Sequence, residues 1–444
     1  MNDQTTFSAM RNALTTWSAR HCGLILALLG AFGLRIAVAL TLHPGFGDEA
    51  EYVAAANRLL DGQPLPRLVN SVMFIRAPGY AMFIAAVWSI VPGRTLLAIR
   101  LTQAVLSTMT CFITYIVALR IRDDRRSAIG AVCLAALYPY FLYHVATIGS
   151  ECLFAFLIVL GAYLFTRGLG RQHVAWGYVV GAASVYGLGI LVRPNLAPVE
   201  LVLGLMLAWR YRHRWRTVAA LAAVMISTTL LVTTPWNLAV RRQGLGEVFV
   251  SDGGGVNYYV GHSDFAVRIY CEHTSGRERT AIVGNSWDLD PVFFMVHTMP
   301  RSEQARLFWR TAFRWDSEHP SRQLCLATGK LWNYWRPWVE GKGYSWKFVA
   351  LSLVSLPLLL LGLAGLWRWR SEDATLASVT LAHVLGGSLT TMVYMAEVRY
   401  RIPGIDSLLV PYAACLGVEV VQQGMARRQA RESSSGRAHL RERR

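Results

Sequence analysis

The sequence predicts an all-α polytopic membrane protein of about ten transmembrane helices, with amphipathic interfacial helices in its first outer loop and a small extracytoplasmic subdomain. Three observations carry this. Of the 444 residues, 54% are hydrophobic and 16% charged, and the mean hydropathy is +0.33; a soluble globular domain holds roughly 45 to 50% apolar residues. The apolar residues recur in runs of roughly membrane-spanning length, about 17 to 25 residues, and no alternating pattern marks a barrel. Basic clusters separate those runs.

The net charge of +17, from 44 Lys+Arg against 27 Asp+Glu, would by itself suggest a nucleic-acid partner. Position argues against one. Arg120, Arg122, Arg125 and Arg126, then Arg167 and Arg171, Arg210 to Arg216, Arg368 and Arg370, and the tail from Arg427 all sit between or just after apolar runs. Cytoplasmic connections look like this under the positive-inside rule, and they also attract anionic lipid. The lipid bilayer is the expected partner, and nucleic acid is not.

Taken in order, the first run, Gly23 to Leu42, lacks a small-residue cleavage site and reads as a retained span. It carries Arg35, which is costly in lipid and is expected to pair inside the bundle, with Glu200 as candidate partner. The polar stretch from His43 leads to a short apolar run, Pro78 to Val91, which suits an interfacial helix better than a span. Charge parity agrees: if this run crossed, the cluster from Arg120 to Arg126 would face outward. The first outer loop is therefore 43–96. The remaining spans are Leu97 to Leu119, Ser127 to Tyr143, Ser150 to Thr166, Val174 to Val192 and Leu196 to Trp209. Thr217 to Thr234, Phe348 to Trp367, Leu376 to Met395 and Ile405 to Val420 complete them.

Both termini are expected in the cytoplasm. This divides the chain into an N-terminal transmembrane module (1–234), an extracytoplasmic loop subdomain (235–346), C-terminal transmembrane helices (347–422) and a basic disordered tail (423–444). The loop holds a strand-like run, Glu247 to Ser251, a tight turn at Gly253 to Gly255, and a Trp-dense segment, Trp332, Trp335 and Trp338, that suits an interfacial belt. No Gly-Lys-Ser/Thr follows the glycines, so they are no P-loop. Cys271 and Cys325 lie in this polar region, and a disulfide between them stays open. His262, His273 and His319 lack metal-ligand spacing and read as surface residues.

With this topology the notable polar residues collect at the outer face: Asp48, Glu49, Arg76, Glu151, Arg193, Arg399 and Arg401. Asp48 reads as the cap of a helix that ends at Asp61-Gly62. A cap alone leaves unexplained why Asp48, Glu49 and Glu51 crowd beside a membrane. Glu151 begins a span, where an acid also suits the helix dipole. Two carboxylates converging from distant parts of a chain suit acid/base work or a divalent ion. Arg399-Tyr400-Arg401 closes an outward span at the same level, and guanidinium groups there can clamp a phosphate in bidentate fashion.

This combination resembles the membrane-embedded GT-C glycosyltransferases, in the branch of the protein O-mannosyltransferases and the aminoarabinose transferase that modifies lipid A. The matching pieces are Gly47-Asp48-Glu49 with Tyr52 and Leu59 to Gly62, Arg76-Ala77-Pro78-Gly79-Tyr80, and Tyr138-Pro139 with Ser150-Glu151. Further along come Leu191 to Pro194, Pro235-Trp236, Gly254 to Asn257 with Tyr259 and Gly261, and Arg399-Tyr400-Arg401 with Pro403. The resemblance implies transfer of a sugar from a polyprenyl-phosphate donor to a glycan, lipid or protein acceptor on the outer face of a bacterial-type inner membrane, with inversion. Asp48 would be the base, with Glu49 and Glu151 in the catalytic set. Arg76, Arg399, Tyr400 and Arg401 would bind the donor phosphate, and Tyr52, Tyr80, Arg193, Asn257 and Tyr259 would line the cleft. No cofactor is implied with certainty, and a divalent cation stays an option.

Two other classes compete. A transporter or flippase of lipid-linked sugars should carry its ionisable groups near the bilayer midplane, in paired broken helices; here they sit at the rim and no repeat is evident. A glycan polymerase or ligase uses the same donor class, but its first outer loop has no need of the Asp48-Glu49 pair. A purely structural anchor leaves Arg399-Tyr400-Arg401 without a purpose.

Overall fold

The computed structural model describes residues 3–45, 47–63, 76–170, 173–242, 248–272, 290–299, 301–338 and 346–442, and these are almost wholly helical. Among the described residues, seven helices are long and apolar enough to cross a membrane, eight when one bent pair is taken as a single span. The protein is an all-α polytopic membrane protein.

Helix α1 (Asp3–Thr41) leads into the first polar loop. There α2 (Glu49–Leu60) has acids in its first turn and Arg58 in its last, both favourable with the helix dipole, and it buries Tyr52 and Ala56 at helical spacing. It stops where expected, with Asp61 at the C-cap and Gly62 at φ +65°. Helix α3 (Gly79–Ile90) buries Tyr80, Ile84, Val87 and Trp88 on one face. With 12 residues it is too short for the hydrocarbon core. A Cβ on Gly79 would lie 2.7 Å from the backbone of Leu191 and Val192, so glycine lets α3 begin directly against the helix that ends there.

Helix α4 (Leu96–Ile121) is capped by the Thr95 side chain, and α5 (Arg125–Leu137) by Asp124, which accepts from the Arg126 and Ser127 amides. The expected span Ser127 to Tyr143 is broken. Pro139, which has no N–H to donate, starts α6 (Pro139–Ala146), bent by 50° from α5. Helices α7 (Glu151–Gly168), α8 (Trp176–Val192) and α9 (Leu196–Arg210) follow, the last two short, as their flanking of Pro194 suggests.

Helix α10 (Trp215–Arg242) passes through Pro235 and continues to Arg242, beyond the expected boundary at 234. Beyond it, Trp236 donates to the Val250 carbonyl and Asn237 accepts from the Val250 amide, holding Val250 at φ +65°. The strand-like run reduces to an isolated bridge between Phe249 and Ser251. Gly253 to Gly255 is not a simple turn, because Gly254 opens α11 (Gly254–Gly261). A Cβ on Gly255 would meet the Ala305 carbonyl at 3.0 Å, so close packing on the helix that carries Ala305 explains the glycine.

Helices α12 (Asp264–Tyr270), α13 (Pro291–Thr298), α14 (Arg301–Glu318) and α15 (Gln323–Trp335) complete the loop region. Two apolar clusters of its own hold it together, one around Val256, Tyr259, Phe293 and Phe308, the other around Ala266, Tyr270 and Leu326. Cys271 and Cys325 form a disulfide, with Cα atoms 5.8 Å apart. The bundle resumes with α16 (Trp346–Trp369) and α17 (Ala374–Val393). The short α18 (Val398–Arg401) runs through a π-helical turn, Ile402–Asp406, into α19 (Ser407–Glu442). The tail expected to be disordered therefore continues the last helix.

Arg35 does not meet Glu200. It is fully buried and donates to Ser107 at 2.7 Å and to the Ala31 and Ala135 carbonyls at 3.1 Å. Glu200 instead accepts from Thr229. Neutral acceptors from its own helix and from α4 and α5 satisfy the cation where an acid was expected.

Candidate active site

At the end of the bundle where α2, α3, α7, α8 and α18 begin or end, charged side chains from distant parts of the chain meet. Asp48 immediately precedes α2 but its side chain makes no cap. One oxygen accepts from Arg76 at 2.9 Å and the other from Arg399 at 3.4 Å. Arg76 also pairs with Glu51, a turn along α2, and Arg399 with Glu397. Glu49, half-buried, makes no ion pair with a described residue.

The chain continues through an aromatic ring. Arg399 lies over Tyr400 at 5.3 Å and Arg193 over the same ring at 5.7 Å. Arg193, at the C-cap of α8, donates to Ser150 at 2.9 Å and to Glu151 at 2.5 Å. Tyr52 receives Arg76 over its own ring at 5.7 Å. Arg76, Asp48, Arg399, Tyr400, Arg193 and Glu151 thus follow one another in an open ring of contacts, although Asp48 and Arg399 are 351 positions apart in the chain.

Electrostatics tighten this ring. Burial works against the charge on Arg76, but Asp48 and Glu51 outweigh it and hold the guanidinium more firmly protonated than a free arginine. Burial also pushes the Tyr52 phenol up, so it serves as a neutral hydroxyl. Asp48, Glu51, Glu151 and Glu397 together neutralise Arg76, Arg193 and Arg399. An incoming anion must therefore draw a guanidinium away from a carboxylate. Among the described residues, no three His, Cys, Asp or Glu side chains converge on a point that would hold a metal.

Several expected site residues lie elsewhere or act otherwise. Arg401 is fully buried. It pairs with Asp406 at 2.8 Å and donates to the Tyr334 and Arg336 carbonyls, while Asp406 accepts from Tyr138. It fastens α15 and the α5–α6 bend to the last helix and presents nothing to a phosphate. Glu151, at 1% exposure, is buried and gives one oxygen to Arg193. Tyr80 is fully buried and donates to Gln103, whose amide in turn holds the Val145 and Thr147 carbonyls. Tyr259 packs on Phe293 and Phe308 and donates to Asp290, inside the loop subdomain. Asn257 is half-buried on α11, within the loop region.

Of the histidines read as surface residues, His262 is buried, bonded to Asp316 at 2.7 Å and to Lys330 at 2.9 Å. His319 is half-buried and stacks on Trp315. His273 lies outside the described residues.

The helices and this ring define a polytopic membrane protein with a charged site at one end of its bundle. Residues 76–237 match the family model described as dolichyl-phosphate-mannose-protein mannosyltransferase. The chain is similar to an undecaprenyl phosphate-alpha-4-amino-4-deoxy-L-arabinose arabinosyl transferase of Pseudomonas paraeruginosa, 26% identical over 52% of this chain and 41% of the relative. It is likewise similar to a transferase of that name from Pseudomonas fluorescens, 27% identical over 49% of this chain and 40% of the relative. The chain spans about two fifths of the length of these relatives. Among solved structures, the apo oligosaccharyltransferase of Archaeoglobus fulgidus aligns with a TM-score of 0.55 at 14% identity, over 93% of this chain and 52% of that one.

Proposed function

We propose that the protein is a glycosyltransferase that moves a sugar from a polyprenyl-phosphate donor to an acceptor hydroxyl or phosphate at the outer face of a bacterial inner membrane, with both termini cytoplasmic. The single observation that carries this reading is Asp48 set between Arg76 and Arg399. Named relatives that use undecaprenyl phosphate-linked sugar support the donor class.

In this reading the donor phosphate draws Arg76 and Arg399 toward itself and so frees the Asp48 carboxylate. The acceptor oxygen attacks the anomeric carbon from the face opposite the phosphate, its proton passes to Asp48, and the carbon–oxygen bond to the phosphate breaks with its electron pair. Configuration inverts. The departing lipid phosphate gains charge during this step, so the arginines bind it more strongly in the transition state than in the ground state, as catalysis requires. Glu151 holds Arg193, and Arg193 with Tyr400 walls the clamp.

The test uses purified protein in vesicles supplied with radiolabelled undecaprenyl-phosphate sugars and an envelope glycan extract from a strain lacking the gene. Appearance of label in one glycan, with release of undecaprenyl phosphate, is the expected result. If every donor is translocated across the vesicle intact and none is consumed, the protein is a transporter and the reading fails.

A further inference from the structure

Beneath the ring lies a cavity of about 10 Å³, lined in part by Ser107, Thr110, His144 and Glu151. One water needs roughly 10 to 15 Å³ and several polar partners. The partners are there. Glu151 gives one oxygen to Arg193, while its other oxygen, Oε2, is buried without a hydrogen-bonding partner among the described residues. Both ring nitrogens of His144, a residue only 4% exposed, are in the same condition. Ser107 accepts from Arg35 and keeps its own O–H to donate. Three buried polar atoms on two residues that line the cavity are costly to leave unsolvated.

We propose that one water in this cavity links a ring nitrogen of His144 to Oε2 of Glu151, so that His144 positions Glu151 against Arg193. The inference rests on the reading above, in which Arg193 belongs to the donor-phosphate clamp. A carboxylate turns easily about its last torsion. Tied at both oxygens, Glu151 keeps Oε1 on Arg193 and Arg193 over Tyr400. The imidazole is itself well placed to do this: α6 starts at a fixed bend, and Gln103 holds the carbonyls just after His144. His144 touches no substrate here and is a positioning residue.

The test is a double-mutant cycle on the full-length purified chain, reading the affinity for undecaprenyl phosphate. His144→Phe should weaken binding about tenfold, while His144→Gln, whose amide can still bond a water, should stay within about twofold. In a Glu151→Gln background, His144→Phe should have no further effect. Wild-type affinity in His144→Phe, equal losses in His144→Phe and His144→Gln, or full additivity with Glu151→Gln overturns the proposal. Should His144→Phe not fold, His144→Leu takes its place in the cycle with the same outcomes. Arg193→Ala is the reference: if it binds the probe like wild type, the role of Arg193 in the clamp fails, whereas a weakened Arg193→Ala beside an unchanged His144→Phe defeats only the present proposal.

Discussion

Arg399 and Arg401 stand two positions apart at one helix end, and the fold uses them in opposite ways. Arg399 keeps a side chain 30% exposed in the ring with Asp48; Arg401 is fully buried on Asp406. Breaking a buried ion pair by removing one partner costs about 3 to 5 kcal/mol, whereas a partly exposed pair contributes about 0 to 1 kcal/mol. Asp406→Asn should therefore lower the melting temperature sharply. Arg399→Met should leave melting near wild type and weaken binding of undecaprenyl phosphate. Melting and binding measured on both variants check the contrast.

The sequence shows the two arginines as equivalent, because Arg-Tyr-Arg at a helix end carries no mark of which side chain turns inward. A signal did exist further on. Asp406 lies in an apolar run, where an acid needs a partner, and the π-helical turn Ile402–Asp406 brings it to Arg401. Arg35 shows the limit from the other side. Its partners are a hydroxyl and backbone carbonyls, and no charge pattern announces those.

Among the elements, α3 sets the position of Arg76 through its contact with α8. Gly79→Ala would bring a methyl group to 2.7 Å from the Leu191 and Val192 backbone, which cannot yield as a side chain would. The start of α3 must move, and Arg76 with it. The expected outcome is a lower melting temperature together with loss of undecaprenyl phosphate binding, whereas Gly30→Ala, which meets nothing within 4 Å, should change neither.

A second joint docks α15 on the end of α17. Lys330, fully buried, reaches His262 and the Met392 and Val393 carbonyls. Burial lowers its pKa to about 7, against the pull of Asp316, and burial and Lys330 lower that of His262. With folded values below the unfolded ones, the unfolded chain binds more protons. Stability is then greatest near the unfolded lysine value, about 10.4, and is lost as pH falls toward 7, with His262 extending the loss below about 6.5. Melting temperature should rise from pH 6 to pH 9, and Lys330→Met should flatten that rise. None of this joint was legible: His262 lacked metal spacing, and its real partners lie 54 and 68 positions away.

For the whole molecule, composition carried far. Each expected span falls on helix, but among the described residues only seven or eight of the ten are long and apolar enough to cross: α8 and α9 fall short, and so does the run after Pro78, as expected. Boundaries moved at prolines: α10 passes through Pro235 where the expected span ended at Thr234, while the span expected to run through Pro139 bends there. A proline's effect depends on what surrounds the freed carbonyl, and the sequence alone does not disclose that. The ring was legible in its members on either side of the bundle, because topology put Asp48, Arg76, Glu151, Arg193 and Arg399 at one level. Which carboxylate would face solvent was not, since burial of Glu151 and partial exposure of Asp48 arise only from packing.

The central claim is that Asp48 takes the acceptor proton between two arginines that it holds until the donor phosphate arrives. Asp48→Asn, reconstituted in vesicles, should bind undecaprenyl phosphate at least as tightly as wild type, because a competitor for Arg76 and Arg399 is gone, while its turnover of an undecaprenyl-phosphate sugar falls by about 10² to 10⁴. Turnover within a fewfold of wild type in a folded Asp48→Asn protein would contradict the account.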